Sequence, residues 1–275
     1  MTNTNPIVNF VVAHSLEAAP VIEKFRLRKV KQNTAFPIYE AGRFKLVVCG
    51  MGKVNAAAGT AYLATVGQNN SIEESIWINL GIAGHQSLRV GETLVIHKVR
   101  EASTDSVQYP FPIPSTIVSC ELITVDVPER DYPLDVAYDM EGWAFWETAR
   151  KFSRLELVQL LKVVSDNRDQ GIDTLTKSEI SKIMQGLCEN LDEVVGRLQE
   201  IAAHYYAAQS LPDSFFELRN NFQFSVTQSL QLKRACQRFK ATGIEHELEC
   251  FLTMKKLSSK DLLQQLEARL DKLVL

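Results

Sequence analysis

The first 100 residues alternate short, apolar, β-branched runs with helix-like stretches, and this alternation constrains the fold more than any other feature. The strand-like runs cover 7–13, 44–52, 75–84 and 91–99. Helix-like stretches at 15–25 and 53–67 separate the first three of them. Strands that are apolar along their whole length are typical of sheets covered by helices on both faces. The sequence therefore predicts an α/β fold with a central mixed, mostly parallel twisted sheet, flanked by helices in three layers.

The rest of the chain continues this pattern and changes character near residue 209. Further strands are predicted within 116–127, 132–152 and 155–167, the second of them leading into a helix. A long amphipathic helix follows at 176–208. Beyond it the chain is helical and rich in Lys, Glu, Gln and Leu. We therefore expect two domains, an α/β domain at 1–208 and a helical C-terminal extension at 209–275.

The composition excludes several classes of protein. A net charge of −3 argues against a nucleic-acid partner. Five dispersed cysteines without a C-x-x-C pair, and five histidines without metal-ligand spacing, predict reduced thiols, no metal site and no cofactor. The sequence has neither an apolar stretch long enough to cross a membrane nor a signal-peptide start, so we expect a cytoplasmic protein without a membrane partner.

Glycines and acidic residues follow the predicted strands at the points where the strands end. In chain order they are Glu17, Gly50–Lys53, Gly81–Gly84, Asp139 with Glu141, and Ser165 with Asp166. Ligands of α/β sheets bind outside the carboxyl ends of the strands. Several carboxylates meeting there favour a ligand that carries hydroxyl groups or develops positive charge.

Each of these positions has an ordinary structural interpretation when it is taken alone. Glu17 would most often be a solvated helix residue, and Asp166 a turn or cap residue. The glycines at 50 and 52 lack the third glycine of a dinucleotide-binding turn, and Lys53 does not complete a P-loop. The functional hypothesis therefore depends on the combination of positions.

Four segments resemble, in order, the motifs of the nucleoside phosphorylase/nucleosidase superfamily: CGMGKVNAAAGTAYL, INLGIAGHQSLRVGETLVI, DVAYDMEGWAFWETA and LKVVSDN. They are most similar to its hydrolytic branch, the 5′-methylthioadenosine/S-adenosylhomocysteine nucleosidases and the related futalosine hydrolases. The resemblance covers roughly residues 7–205. It implies a nucleoside phosphorylase-like α/β/α fold and a purine nucleosidase activity.

The resemblance also implies roles for individual residues. Glu17 matches the acid that positions and activates the attacking water, and Asp166 the acid that protonates or hydrogen-bonds purine N7. Ser165 matches the residue that supports this second acid. Substrate binding is implied for the ribose contacts Met140 and Glu141 and for the strand-end residues Gly81, Ala83 and Gly84.

Water is the expected nucleophile rather than phosphate. Phosphorolysis needs arginines and a glycine-rich loop that hold the phosphate. The family's phosphate loop after the first strand is absent, and AHSLEAAP stands in its place. The expected substrates are 5′-methylthioadenosine, S-adenosylhomocysteine or 5′-deoxyadenosine, with the base and the 5′ substituent left open.

The sequence leaves a second interpretation open. In that alternative the chain is a catalytically inactive, nucleosidase-like ligand-binding or scaffold protein whose C-terminal helices bind a protein partner. Members of the family are commonly dimers, so the resemblance also implies a homodimer, although the sequence does not fix the oligomeric state.

Overall fold

The structure is a computed structural model that describes residues 6–31, 34–66, 75–171, 175–254 and 257–272. The strands are Val8–Val12 (β1), Arg28–Lys29 (β2), Ile38–Ala41 (β3), Phe44–Val48 (β4), Ile76–His85 (β5), Thr93–Glu101 (β6), Val107–Gln108 (β7), Val118–Thr124 (β8), Ala137–Asp139 (β9) and Val158–Asp166 (β10). The helices are Ser15–Phe25 (α1), Lys53–Thr65 (α2), Gly142–Ala149 (α3), Lys177–Gln209 (α4), Asp213–Asn221 (α5), Val226–Ala241 (α6), Leu248–Leu252 (α7) and Ser259–Asp271 (α8).

The chain forms two compact units, residues 1–202 and 203–275. The first unit contains the whole sheet and confirms the predicted α/β fold. The strand predicted within 155–167 is also confirmed as β10, which follows directly on a short 3₁₀ turn at Leu155–Leu157. No helix in the described ranges is both long enough and apolar enough to cross a bilayer.

The prediction of a mostly parallel sheet is wrong. The described strand pairings are equally divided between parallel and antiparallel. Moreover, the strands β5, β9, β8, β6 and β10 form a closed ring, because β10 pairs with both β5 and β6. The chain is therefore not a simple open three-layer sandwich.

The length of β5 explains how the ring closes. Residues 76–80 of β5 pair with β1, whereas Gly84 and His85, beyond the end of β1, pair with the short antiparallel strand β9. Register shifts in β6 and β10 add local bends of the kind that let a sheet curve. Thus a single long strand takes part in both the parallel sheet and the ring.

Helices cover both faces of the sheet near β1. The Phe10 ring lies 5.2 Å from the ring of Phe25 at the end of α1. The neighbouring Val11 points to the opposite face and belongs to a core cluster that includes Ala56 and Leu63 of α2 and Phe145 of α3. These two layers hold the strand ends in fixed positions.

Helix α2 approaches the sheet closely, and Gly59 makes this approach possible. A Cβ atom at Gly59 would lie 2.4 Å from Cβ of Cys49, directly after β4. Gly59→Ala is therefore expected to lower the free energy of unfolding by about 1–3 kcal/mol, measured by chemical denaturation. Gly186→Ala in α4 is the matched control, since its Cβ would meet nothing within 4 Å. It should raise that free energy by up to about 1 kcal/mol, and equal effects of the two changes would contradict the packing.

The second unit has a hydrophobic core of its own. Helices α5 to α8 contribute buried apolar residues that form one cluster: Phe215, Leu218, Leu232, Ala235, Cys236, Phe239, Leu248, Phe251, Leu262, Leu263, Leu266 and Leu270. The last four are leucines of helix α8. This unit therefore has the apolar core expected of a small helical module.

Candidate active site

A cavity of about 370 Å³ lies at the carboxyl ends of β1, β5, β9 and β10. Its acidic lining residues are Glu17, Glu129, Asp139, Glu141 and Asp166. The predicted site residues Met140, Ser165, Ala83 and Gly84 line it as well, whereas Gly81 does not. The cavity therefore brings together acidic residues as far apart in the chain as Glu17 and Asp166.

Glu17 occupies the third position of helix α1 and is fixed there by backbone hydrogen bonds. Its Oε2 accepts from the backbone N–H of the N-cap residue His14 at 2.9 Å, and its Oε1 accepts from the Ile82 N–H of β5 at 3.0 Å. The His14 ring completes a capping box by accepting from the Leu16 N–H. Glu17 therefore has a structural role in the helix and also faces the cavity.

The surroundings of Glu17 have opposing effects on its protonation. Burial raises the pKa of the Glu17 carboxyl, and the hydrogen bonds from Ile82 and His14 and the nearby Lys162 ammonium oppose that shift. Gly81 lies directly beside this group, because a Cβ there would be 3.0 Å from Glu17 Oε1. Gly81 thus leaves space for the Glu17 carboxylate. Because Gly81 does not line the cavity, the structure does not support the direct substrate contact predicted for it.

Beneath the acids lies a buried ion pair that sequence analysis missed. Lys162 of β10 is 1% exposed, and its Nζ lies 2.8 Å from Oδ2 of Asp139. Burial lowers the pKa of Lys162, but the charges of Asp139, Glu141 and Glu17 outweigh it and raise the pKa overall. Lys162 is therefore the buried counter-ion of the acidic cluster.

Asp139 is fully engaged with its own chain. Its Oδ1 accepts from the Thr124 hydroxyl at 2.7 Å, and its Oδ2 accepts from the Gly142 N–H at 2.8 Å as well as from Lys162. A carboxylate with this many partners is a structural group that anchors β8, β10 and the start of α3. Asp139 therefore positions the segment that carries Met140 and Glu141.

Glu141 presents a second buried carboxylate to the cavity. Its Oε1 accepts from the Gly52 N–H, at the N-terminus of α2, at 2.6 Å. Gly52 has φ +91, a conformation suited to glycine, and this lets its amide face Glu141. Burial, followed by the nearby negative charge of Asp139, raises the pKa of Glu141 to about 7. Oε2 is left as the oxygen with which Glu141 can accept a hydroxyl from a ligand.

Asp166 ends β10 on the other side of the cavity, and both of its oxygens have partners. The Ser165 hydroxyl donates to Oδ1, and the Tyr132 hydroxyl donates to Oδ2. Ser165 Oγ also lies 3.3 Å from the Ala83 carbonyl oxygen, which gives it an alternative acceptor. The predicted support of Asp166 by Ser165 is thus a direct contact, and Tyr132 is a partner that sequence analysis missed.

The two missed residues differ in how visible they are in the sequence. Lys162 is the only charged residue inside the otherwise apolar run Leu160–Val164. This pattern is visible in the sequence, because a lysine in a strand that is buried on both faces needs an oppositely charged partner. Tyr132 lies in an irregular segment 34 residues before Asp166, and its local sequence gives no such signal.

The arrangement suits a ligand that combines a polyhydroxyl part with a base. Carboxylate oxygens at Glu17, Glu141 and Asp166 come from three different elements, and Met140 adds an apolar contact. Such groups accept hydrogen bonds from hydroxyls and stabilise positive charge that develops between them. Among the lining residues in the described ranges none is an arginine.

Comparison with known proteins supports the fold. No protein-family model and no curated protein sequence matches this chain. Solved structures do match. The 5′-methylthioadenosine nucleosidase of Arabidopsis thaliana is 21% identical with a TM-score of 0.57, and the match covers 70% of this chain and 96% of that one.

Two further structures give the same result. The nucleosidase MTAN of Chlamydia trachomatis is 23% identical with a TM-score of 0.53, covering 69% of this chain and 97% of its own. The futalosine hydrolase of Helicobacter pylori is 15% identical with a TM-score of 0.53, covering 70% and 98%. The chain therefore has the fold of these proteins, which is the fold that the resemblance implies.

Proposed function

We propose that this protein hydrolyses the N-glycosidic bond of a purine nucleoside and releases the free base. The observation that carries the proposal is the meeting of Glu17, Glu141 and Asp166 in one cavity of about 370 Å³. Cleavage of such a bond passes through a transition state with oxocarbenium character. It requires a base for the nucleophile, an acid for the leaving group and negative charge near the sugar.

In this mechanism each carboxyl has one task. Glu17 accepts a proton from the water that attacks C1′ of the sugar. Glu141 accepts hydrogen bonds from the ribose hydroxyls while Met140 packs against the ring. The bond from C1′ to the base then breaks, and Asp166 gives a proton to the leaving base. The products are the free sugar and the neutral base, so atoms and charge balance.

Water is the nucleophile that the cavity suits. Phosphate binding relies on arginine side chains or on several backbone N–H groups. The basic residues of the described lining are His14 and Lys177, while Lys162 is buried against Asp139. The Gly52 amide at the start of α2, where an anion could otherwise bind, is already used by Glu141.

The proposed substrates are nucleosides of the 5′-methylthioadenosine, S-adenosylhomocysteine or 5′-deoxyadenosine class. The solved structures of similar fold include a 5′-methylthioadenosine nucleosidase and a futalosine hydrolase. Leu16, Met51 and Ile180 give the cavity apolar surface on which an uncharged 5′ substituent can pack.

One observation favours a second candidate, a protein that binds a nucleoside without cleaving it. Both oxygens of Asp166 are engaged by hydroxyls of the chain itself, Ser165 and Tyr132. An acid whose hydrogen-bonding capacity is largely used has less left for a leaving group. In that case the helical second unit would serve a protein partner.

Base release from a panel of nucleosides distinguishes the two candidates. The purified protein is incubated with each nucleoside, with and without phosphate, and free base is measured by chromatography. We expect phosphate-independent release of adenine or hypoxanthine that falls by about 10²- to 10⁴-fold in Asp166→Asn, since this change removes the leaving-group acid. Asp169→Asn, an exposed carboxylate three residues further on, is the matched control and should retain wild-type rates. Binding without release from any nucleoside would favour the second candidate.

A further inference from the structure

We infer that Tyr132 is a positioning residue for Asp166, acting from outside the cavity on the carboxyl group that faces the leaving base. This inference rests on the proposed function and extends it to a residue outside the superfamily motifs. Tyr132 is 2% exposed, and its hydroxyl donates to Asp166 Oδ2, yet Tyr132 does not line the cavity. It therefore acts on a substrate through Asp166.

The segment around Tyr132 is tied to both strands that end at the cavity. The Tyr132 carbonyl oxygen accepts from Gln86 Nε2 at 2.8 Å and from Arg168 Nη2 at 2.9 Å. Gln86 directly follows β5, and Arg168 lies just beyond β10. Because the backbone carbonyl oxygen of Tyr132 accepts both hydrogen bonds, they fix the position of the backbone from which the Tyr132 side chain extends.

The backbone at Tyr132 adopts a conformation that is unfavourable for a residue with a side chain. Its φ is +44, in the left-handed region that side chains other than glycine seldom adopt. The Tyr138 ring, 6.0 Å away in an edge-to-face arrangement, packs against the Tyr132 ring. The burial of Tyr132, its backbone conformation and this ring contact together restrict the orientation of its side chain.

Gly84 leaves the space through which Tyr132 reaches Asp166. A Cβ at Gly84 would lie 2.6 Å from Tyr132 Cε1 and 2.8 Å from Asp166 Oδ2. Any side chain there would separate the two groups. The glycine that the family motif places at this strand end therefore has a specific use in this chain, which is the Tyr132–Asp166 contact.

The contact determines how Asp166 carries its proton. Burial, followed by the hydrogen bond to Asp166, raises the pKa of the Tyr132 hydroxyl, so it remains a donor to Oδ2. Oδ2 keeps the hydrogen bond from Tyr132, whereas the Ser165 hydroxyl at Oδ1 has the Ala83 carbonyl oxygen as an alternative acceptor, so a proton on Asp166 favours Oδ1. The Ser165 hydroxyl can then turn towards Ala83 O and accept from the protonated Oδ1. Tyr132 therefore fixes both the orientation of the carboxyl and the oxygen that delivers the proton.

Tyr132→Phe removes the hydroxyl and keeps the packed ring. With the nucleoside that is cleaved fastest, we expect kcat to fall by about 10- to 100-fold and KM to stay within about threefold, because the misplaced group is the acid and not the binding surface. Tyr109→Phe, at a tyrosine that is 69% exposed, should match the wild type. A kcat within twofold of wild type, or a loss that lies wholly in KM, would overturn the inference.

Gln86→Met is a second variant that leaves Tyr132 intact and removes one of its anchors. We expect a smaller loss in the same direction, in kcat and not in KM. If the wild-type protein releases no base from any nucleoside, the proposed function is wrong, and the role of Tyr132 then needs a test that does not depend on activity. Crystal structures of the wild type and of Tyr132→Phe then test Tyr132 directly. A changed side-chain rotamer of Asp166 in the variant supports the inference, and the same rotamer in both proteins overturns it.

Discussion

Replacing Lys162 with methionine should lower the free energy of unfolding by about 3–5 kcal/mol, the usual cost of breaking a buried ion pair. The methionine side chain fills much of the same volume, so the loss comes from charge and not from a cavity. Asp139, 2.8 Å from Lys162 Nζ, would remain buried without its counter-ion. Glu141 and Glu17 would lose the same positive charge. Urea denaturation at neutral pH measures the effect.

Lys98→Met is the matched control for this prediction. Lys98 also lies on a strand and pairs with a carboxylate, Glu121, at 2.9 Å, but its side chain is 21% exposed. An ion pair near the surface contributes about 0–1 kcal/mol. Equal losses in Lys162→Met and Lys98→Met would refute the role of Lys162 as a buried counter-ion.

A double variant separates charge from packing. Adding Asp139→Asn to Lys162→Met removes the uncompensated carboxylate and keeps an acceptor for the Thr124 hydroxyl. With Asp139→Asn measured as the second single variant, we expect the double variant to lose less stability than the sum of the two single losses, by an interaction energy of about 1–3 kcal/mol. Additive losses would mean that the methionine packs badly and that charge is not the cause.

The positions of the acids could be predicted because they depend on local sequence. Apolar runs that end in glycine or acidic residues identify the carboxyl ends of strands, and such ends meet at one edge of an α/β sheet. Glu17, Glu141 and Asp166 line the same cavity for this reason. Their individual tasks do not follow from position, and they remain proposals.

The closure of the sheet could not be predicted from the same signals. An apolar run identifies a strand but not its neighbour or its direction. Strand β9 has only three residues and pairs with both β5 and β8, so the ring depends on contacts between distant segments. Tyr132 was missed for the same reason, because its position is set by Gln86 and Arg168 and not by its own neighbours.

Lys162 is a different case, because its signal was present in the sequence. Every residue of β10 is buried, so a lysine in this strand has no solvated face. Its partner could not be named, since Asp139 lies 23 residues away and reaches it only through the short strand β9. A single charged residue in an apolar strand therefore predicts a buried ion pair, but it does not identify the partner residue.

Glu141→Gln should increase stability above pH 7 and at the same time reduce activity. The folded protein holds the pKa of Glu141 at about 7, above its ordinary value of 4.5. Between these two values the folded state binds more protons than the unfolded state, so the free energy of unfolding falls as the pH rises. Glutamine removes this penalty, which is about 3 kcal/mol at 1.36 kcal/mol for each pKa unit. Its amide oxygen can still accept from the Gly52 N–H.

The activity should change in the opposite direction, since an ionised Glu141 is the stronger acceptor for the ribose hydroxyls. Hydrogen bonds to a charged group contribute about 1.5–3 kcal/mol each. We therefore expect kcat/KM of Glu141→Gln to be lower by about 10²- to 10⁴-fold at pH 8. The wild-type value should rise with pH through about 7, as Glu141 ionises.

Glu101→Gln is a control for which the expected change in stability has the opposite sign. Burial tends to raise the pKa of Glu101, but the Lys53 ammonium at 2.7 Å and the Ser103 hydrogen bonds outweigh it and hold that pKa below 4.5. Its ionised form therefore stabilises the fold at neutral pH, and that contribution is lost only as the pH falls below 4.5. Denaturation curves at pH 5.5 and 8.5 should show Glu101→Gln less stable than wild type at both values. Glu141→Gln should gain more on the wild type at pH 8.5 than at pH 5.5, and a gain that does not depend on pH would show that its cause is packing and not the buried charge.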